Sequence, residues 1–132
     1  MLNVALAYAI SLPVLIGLDL LWLGVLMKDF YHDNLGALRS PKVRWSAAAA
    51  FYLIFLAGLF YFGITPVAKH GVWPAAAWLS GFFGFFSYAT YDLTNLATLK
   101  GWSLKVAFVD IAWGTALGSA LGIVGFFLIH FL

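Results

Sequence analysis

The stretch from Leu104 to Leu132, LKVAFVDIAWGTALGSALGIVGFFLIHFL, decides the fold. After Lys105 it carries a single acid, Asp110, and it exceeds the ~20 apolar residues that an α-helix needs to cross hydrocarbon. Asp110, Gly114, Gly118 and Gly122 recur at steps of four, so they share one helical face. A small-xxx-small stripe of this kind lets a neighbouring helix approach backbone to backbone. The stretch therefore reads as a membrane helix whose glycine face packs on another helix, with Asp110 directed into that contact.

Working outward, three more segments of similar length and cleanness occupy about residues 3–27, 45–65 and 74–99, and the first covers residues 104–131. Hydrophobic residues make up 64% of the 132 and charged ones 9%, too little polar material to coat a soluble domain. The expected architecture is all-α: a polytopic membrane protein whose single domain, 1–132, is an antiparallel bundle of four transmembrane helices. The first segment has no basic n-region and no small-residue cleavage site, and is expected to be retained rather than cleaved as a signal peptide. The absence of Cys removes disulfide, thiol-redox and thiolate-metal chemistry. The net charge of +2 forms no nucleic-acid face, and no nucleic-acid partner is expected.

The basic residues set an orientation. Lys28, Arg39, Lys42, Arg44, Lys100 and Lys105 fall in the first and third loops, against Lys69 alone in the second. Short loops rich in Lys and Arg stay cytoplasmic, so both termini are expected on the outer side. Trp45, Trp73 and Trp102 sit at segment ends, where indoles anchor helices at the headgroups.

Three of the five acids, Asp19, Asp92 and Asp110, lie inside apolar segments. A carboxylate at a helix centre costs roughly 2.5–3.5 kcal/mol to insert, which makes each a functional-site candidate. At ~1.5 Å per residue, they sit roughly 13.5, 12 and 7.5 Å from the nearest cytoplasmic lysine on three different segments. Comparable depth allows them to converge in one inward-facing pocket. Each has a polar neighbour three residues on the same surface: Trp22, Asn95 and Trp113. In the third segment Ser80, Gly84, Ser87, Tyr88, Tyr91, Asn95 and Thr98 make a polar wall with Asp92 at its edge. The second segment, with Phe51, Ile54, Phe55 and Phe60 and only Tyr52 and Tyr61 as polar handles, is expected to be the most lipid-facing or to form an oligomer contact. The bland alternative is that the acids are buried and hydrogen-bonded to Trp, Tyr and Asn, locking the helices into one packing.

The stretches YATYDLTNLATLKGW (Tyr88–Trp102) and VDIAWGT (Val109–Thr115) resemble the signature of a bacterial family of four-helix inner-membrane proteins catalogued as a domain of unknown function (DUF2177). LDLLWLG (Leu18–Gly24), the loop residues Phe30, Tyr31, Leu35, Gly36 and Leu38, and the run FYLIFLAGLFYF are similar to it too. The resemblance implies a fold and a location in the bacterial inner membrane, and no settled activity.

Three functional readings follow. The first is an inner-membrane protein that binds a small cationic or lipid-like ligand in a cytoplasm-facing pocket and exchanges protons there, in the manner of a proton-coupled transporter. Its ligand-binding or proton-exchanging residues are Asp19, Trp22, Tyr88, Tyr91, Asp92, Asn95, Asp110 and Trp113, with Gly114, Gly118 and Gly122 packing the helices. A transport route from the outer face would run past Tyr8, Ser11 and Ser80. The second is a lipid-modifying enzyme in which Asp92, Asn95 and Asp110 hold Mg²⁺ or Mn²⁺ through oxygen ligands. It lacks a DxxD pair and a nucleophile beside a base; Asp29, His32 and Asp33 read as a solvated turn, and His70 and His130 lie remote from the acids. The third is an accessory subunit of a larger membrane complex. Partners are membrane lipids, with a homodimer or larger complex compatible; no catalytic residue, metal site or cofactor is assigned.

Overall fold

Long apolar runs with few interior breakers favour helix, because in hydrocarbon each backbone N–H and C=O must find its partner within the chain. The computed structural model, which covers residues 1–132, is helical throughout and has no strands. Helix α1 (Leu2–Leu21) runs on through Pro13 and continues as a π-helical turn, Trp22–Leu26, before the short α2 (Lys28–Leu35). Helix α3 (Trp45–Gly58) likewise passes into a π-helical turn, Leu59–Ile64, and then α4 (Thr65–Ala68). Helices α5 (Trp73–Thr98) and α6 (Leu104–Phe131) complete the chain. Gly71 and Gly101, at φ 68° and 79°, take the left-handed conformation in the last two turns, where a side chain would be strained. Ser103 caps α6 by accepting a hydrogen bond from the Val106 N–H at 3.3 Å.

Three helical stretches are long and apolar enough to cross a membrane: Leu2–Leu26, Trp45–Ala68 and Leu104–Phe131. Helix α5 has 26 residues, length enough to span, but its Ser, Thr, Tyr, Asp and Asn side chains lower its hydropathy and it does not qualify with them.

Helix α6 is the hub, packed on α5 along most of its length and on α1. One stripe of α1, Ala7, Ser11, Leu15 and Asp19, is buried at steps of four; α5 buries Ala76, Ser80, Gly84 and Asp92 in the same phase. Gly114, Gly118 and Gly122 lie against α5: a methyl on Gly118 would meet the Gly84 Cα at 3.4 Å, and one on Gly122 the Ser80 Cβ at 2.7 Å. Leu15, Phe55, Leu56, Leu59, Phe60, Ile64, Leu117 and Leu121 form the apolar core.

The second span corrects an expectation. Its apolar window is 33% buried against 17% for the first, so the first stretch is the more exposed of the two; the burial of the second is concentrated at the end of α3 and in its π-helical extension, from Phe55 to Ile64. Helix α3 packs on α1, and its π-helical extension packs closely on α5. The small residues explain the difference along its length. Gly58 faces the Phe83 ring, and a methyl on Gly63 would sit 2.9 Å from the Ser80 nitrogen, so that end closes tightly. Toward its N-terminus α3 offers Phe51 and Phe55 to Tyr88, with ring centroids 6.2 and 5.7 Å apart, and the two helices diverge beyond them.

Candidate functional site

Two polar arms meet between α1, α2, α3, α5 and α6. In the first, Asp19 accepts from the Tyr52 hydroxyl at 2.6 Å and from the Trp113 indole Nε1 at 3.2 Å, one donor on each carboxylate oxygen. Asp19 is thus tied to α3 and α6 at once. In the second, the Trp22 indole donates to the Tyr31 hydroxyl at 3.1 Å, and Tyr31 donates to Asp110 at 2.9 Å. The arms join where Trp22 stacks on Trp113, with ring centroids 4.4 Å apart. The π-helical turn begins at Trp22, and π turns of this kind recur at functional positions.

Tyr31 owes its place to the short α2. Lys28, Asp29, His32 and Asp33 are exposed, whereas Tyr31 is buried beneath them. Burial pushes the Tyr31 phenol well above its ordinary range; the Trp22 N–H opposes this and the Asp110 carboxylate adds to it. Tyr31 therefore acts as a donor, which is how it is used.

Below the Phe51–Tyr88 contact the divergence of α3 from α5 opens a cavity of about 640 Å³. Its wall is mostly apolar: Leu23, Leu35, Ala47, Ala48, Phe51 and Val106, with Tyr31, Tyr88, Tyr91 and Trp102 supplying ring faces. Asp19 and Asp110 provide its carboxylates. Aromatic faces beside carboxylates are the chemistry that receives a cation. Trp102, read from the sequence as an interfacial anchor, also lines this cavity, with a buried indole N–H that has no hydrogen-bond partner.

Asp92 is fully buried behind Asp110, and neither of its oxygens receives a hydrogen bond. Of the remaining residues singled out from the sequence, Tyr88 is half-buried and Tyr91 is 56% exposed at the cavity edge. Asn95 is half-buried and is not part of the cavity wall. No three of the carboxylates and imidazoles converge as metal ligands; Asp92 and Asp110 meet as a pair. A hard cation would have to complete its shell with water or substrate oxygen, which is a weaker fit than a dedicated cage.

Tyr8, Ser11 and Ser80 do not line a route. The Tyr8 hydroxyl donates to the Leu53 carbonyl at 2.8 Å, and the two serines are wholly enclosed in helix contacts. A second recess of about 450 Å³ lies at the far end, around Met1, Val4, Ala68, Lys69 and Ile129, with the apolar core between it and the acids.

Tyr31 and Tyr52 supply hydrogen bonds to the acids that sequence reasoning did not assign. The signal for Tyr31 is its spacing from Leu35, one turn apart on the same face of an otherwise polar segment. Tyr52 is the single polar side chain in its run that falls at the depth of Asp19.

A family model described as a predicted membrane protein, DUF2177, matches residues 4–127. The chain belongs to this family. No curated protein and no solved structure matches it. In this DUF2177 chain the matched region takes in both polar arms, the cavity and the apolar core, and the family carries no assigned activity.

Proposed function

We propose that this DUF2177 protein is a four-span, antiparallel inner-membrane bundle that binds a small cationic or lipid-like amphipath in the cavity between α1, α3, α5 and α6. Helix α5 serves as the fourth span, with Ser80 and Asp92 buried against its neighbours and Ser87, Tyr88 and Tyr91 on the cavity wall. The loops bearing Arg39, Lys42, Arg44, Lys100 and Lys105 mark the cavity end as cytoplasmic, with both termini outside. The observation that carries the reading is the composition of the cavity wall: apolar over most of its surface, aromatic at its polar end, with Asp19 and Asp110 as its charges. An apolar tail and a positively charged head match those two regions.

Leu15, Leu56, Leu59 and Leu117 belong to the buried core and none of them lines the cavity, which supports binding from one side. Transport would require this layer to open, and the enzyme reading would require a reactive group that the wall does not offer.

The test uses purified protein in nanodiscs, with thermal unfolding followed in the presence of dodecyltrimethylammonium, anionic and zwitterionic lipids, and Mg²⁺ or Mn²⁺. The amphipath is expected to raise the midpoint of the wild type, a ligand at a hundred times its Kd contributing about 2.7 kcal/mol. Ala48→Trp, which fills the cavity, and Asp110→Asn should each lose most of that gain. Stabilisation by divalent cations alone would favour the enzyme reading. If nothing shifts the midpoint and Asp110→Asn is as stable as wild type, the accessory-subunit reading is the better one.

A further inference from the structure

Asp92 is the one deeply buried acid that neither polar arm uses. It is wholly enclosed in α5, and both of its oxygens lack a hydrogen-bond donor. A carboxylate left so is among the costliest groups a protein can bury, because it forfeits its hydration and receives nothing in exchange. Helix α6 makes matters worse: Gly84 and the Tyr88 ring of α5 both lie against Gly114, so Asp92, one turn beyond Tyr88, comes to the level of Asp110, one turn before Gly114, a second acid. Tyr31 on α2 and Tyr91 on α5 itself are the other titratable groups near it, and Tyr31 spends its proton on Asp110. No lysine, arginine or histidine hydrogen-bonds to it. Two adjacent carboxyls without a cation resolve the problem in one way that keeps the packing: a single proton lies between them, donated by one and accepted by the other. One negative charge then remains on the pair, at the cavity wall where Asp110 is reached.

We propose that Asp92 and Asp110 form a proton-binding pair that holds one proton between them and gives it up when a cation occupies the cavity. The second half rests on the ligand reading above. A positive head beside Asp110 replaces the proton as the balancing charge: the O–H bond of the pair breaks, the proton leaves to the cytoplasmic water, and the pair carries two negative charges against the bound cation. No electron is moved and no other bond changes.

Infrared difference spectroscopy tests the pair without any ligand. At neutral pH the wild type minus Asp92→Asn spectrum is expected to contain a carboxylic-acid C=O band that shifts in D₂O. Asp110→Asn should shift the same band, because the carboxylate that shares the proton is replaced by an amide. Absence of the band in the wild type overturns the pair, and an unmoved band in Asp110→Asn shows Asp92 to be a neutral acid independent of Asp110, which also overturns it. Should Asp92→Asn fail to fold, the wild type minus Asp110→Asn spectrum carries the same test. The exchange is read by adding dodecyltrimethylammonium to weakly buffered protein with a pH dye. About one proton released per ligand bound is expected from the wild type and none from Asp92→Asn. Binding without release refutes the exchange. Failure to bind at all sinks the ligand reading and the exchange together, while the infrared band still decides the pair.

Discussion

The indoles of Trp22 and Trp113 lie face to face, 4.4 Å between ring centroids and 2° from parallel, and each sends its N–H to a different polar arm. Trp113 serves Asp19 and Trp22 serves Tyr31, so the stack mechanically couples the two cavity carboxylates although no hydrogen bond links them. A residue from the π-helical turn that continues α1 and one from α6 thereby fix the geometry of both acids.

Asp19 has one donor per oxygen, and that stoichiometry makes the donors interdependent. Tyr52→Phe and Trp113→Phe are each expected to destabilise the protein by about 1.5–3 kcal/mol, the usual worth of a hydrogen bond to a charged group. Together they should cost more than the sum, because the second loss leaves a buried carboxylate with no partner. Unfolding in mixed detergent, with the four proteins of the cycle, measures the coupling. Strict additivity would mean that water replaces the missing donors.

Glycines differ sharply in what surrounds them. A methyl on Gly118 would meet the carbonyl carbon of Ser80 at 3.1 Å and the Gly84 Cα at 3.4 Å, all backbone, whereas Gly17 has nothing within 4 Å. Gly118→Ala should therefore lower stability by roughly 1–3 kcal/mol through overpacking. Gly17→Ala should be neutral or stabilise by up to about 1 kcal/mol, since alanine restricts the unfolded chain. Equal midpoints for the two variants would sink the backbone-contact account of the α5–α6 packing.

Tyr31 sets an alkaline limit. Burial raises its phenol above the ordinary 10.0, so the folded state binds the proton more tightly than the unfolded one. The stability this contributes is complete below pH 10 and is lost as pH climbs toward the folded value. Unfolding midpoints of wild type and Tyr31→Phe should hence differ by a constant amount from neutrality to about pH 9 and converge above pH 10. A difference that stays constant on the alkaline side would show the phenol to be unperturbed.

The acids were legible in the sequence because an Asp in an apolar run carries an insertion cost that hydropathy cannot hide. Their arrangement was less so. A tyrosine near a helix end reads equally well as a headgroup anchor, and only the fold turns Tyr31 and Tyr52 inward to donate. The burial of the second apolar stretch was misread for a reason specific to membranes: lipid tails and protein core are equally apolar, so Phe55, Leu56 and Phe60 look alike facing either. A pocket at the depth of the acids was expected from the sequence, but the shape of the cavity and its opening between α3 and α5 were not legible. That shape depends on Gly58 and Gly63 drawing one end of a helix inward while the Phe51 and Tyr88 rings meet further along, and no local pattern records that difference.

The leucine layer at Leu15, Leu56, Leu59, Leu117 and Leu121, between the two recesses, has an electrical consequence. With the bundle placed across the membrane as proposed, it would be an insulator between the two recesses, and the voltage of an energised membrane would fall mostly across it. A cation that stops at Asp110 crosses little of the field, which would be worth about 2.3 kcal/mol per unit charge per 100 mV if traversed in full. The affinity for dodecyltrimethylammonium is accordingly expected to be the same in polarised and unpolarised vesicles. A tenfold change on imposing the potential would mean that the field extends to the carboxylates, and that the layer conducts.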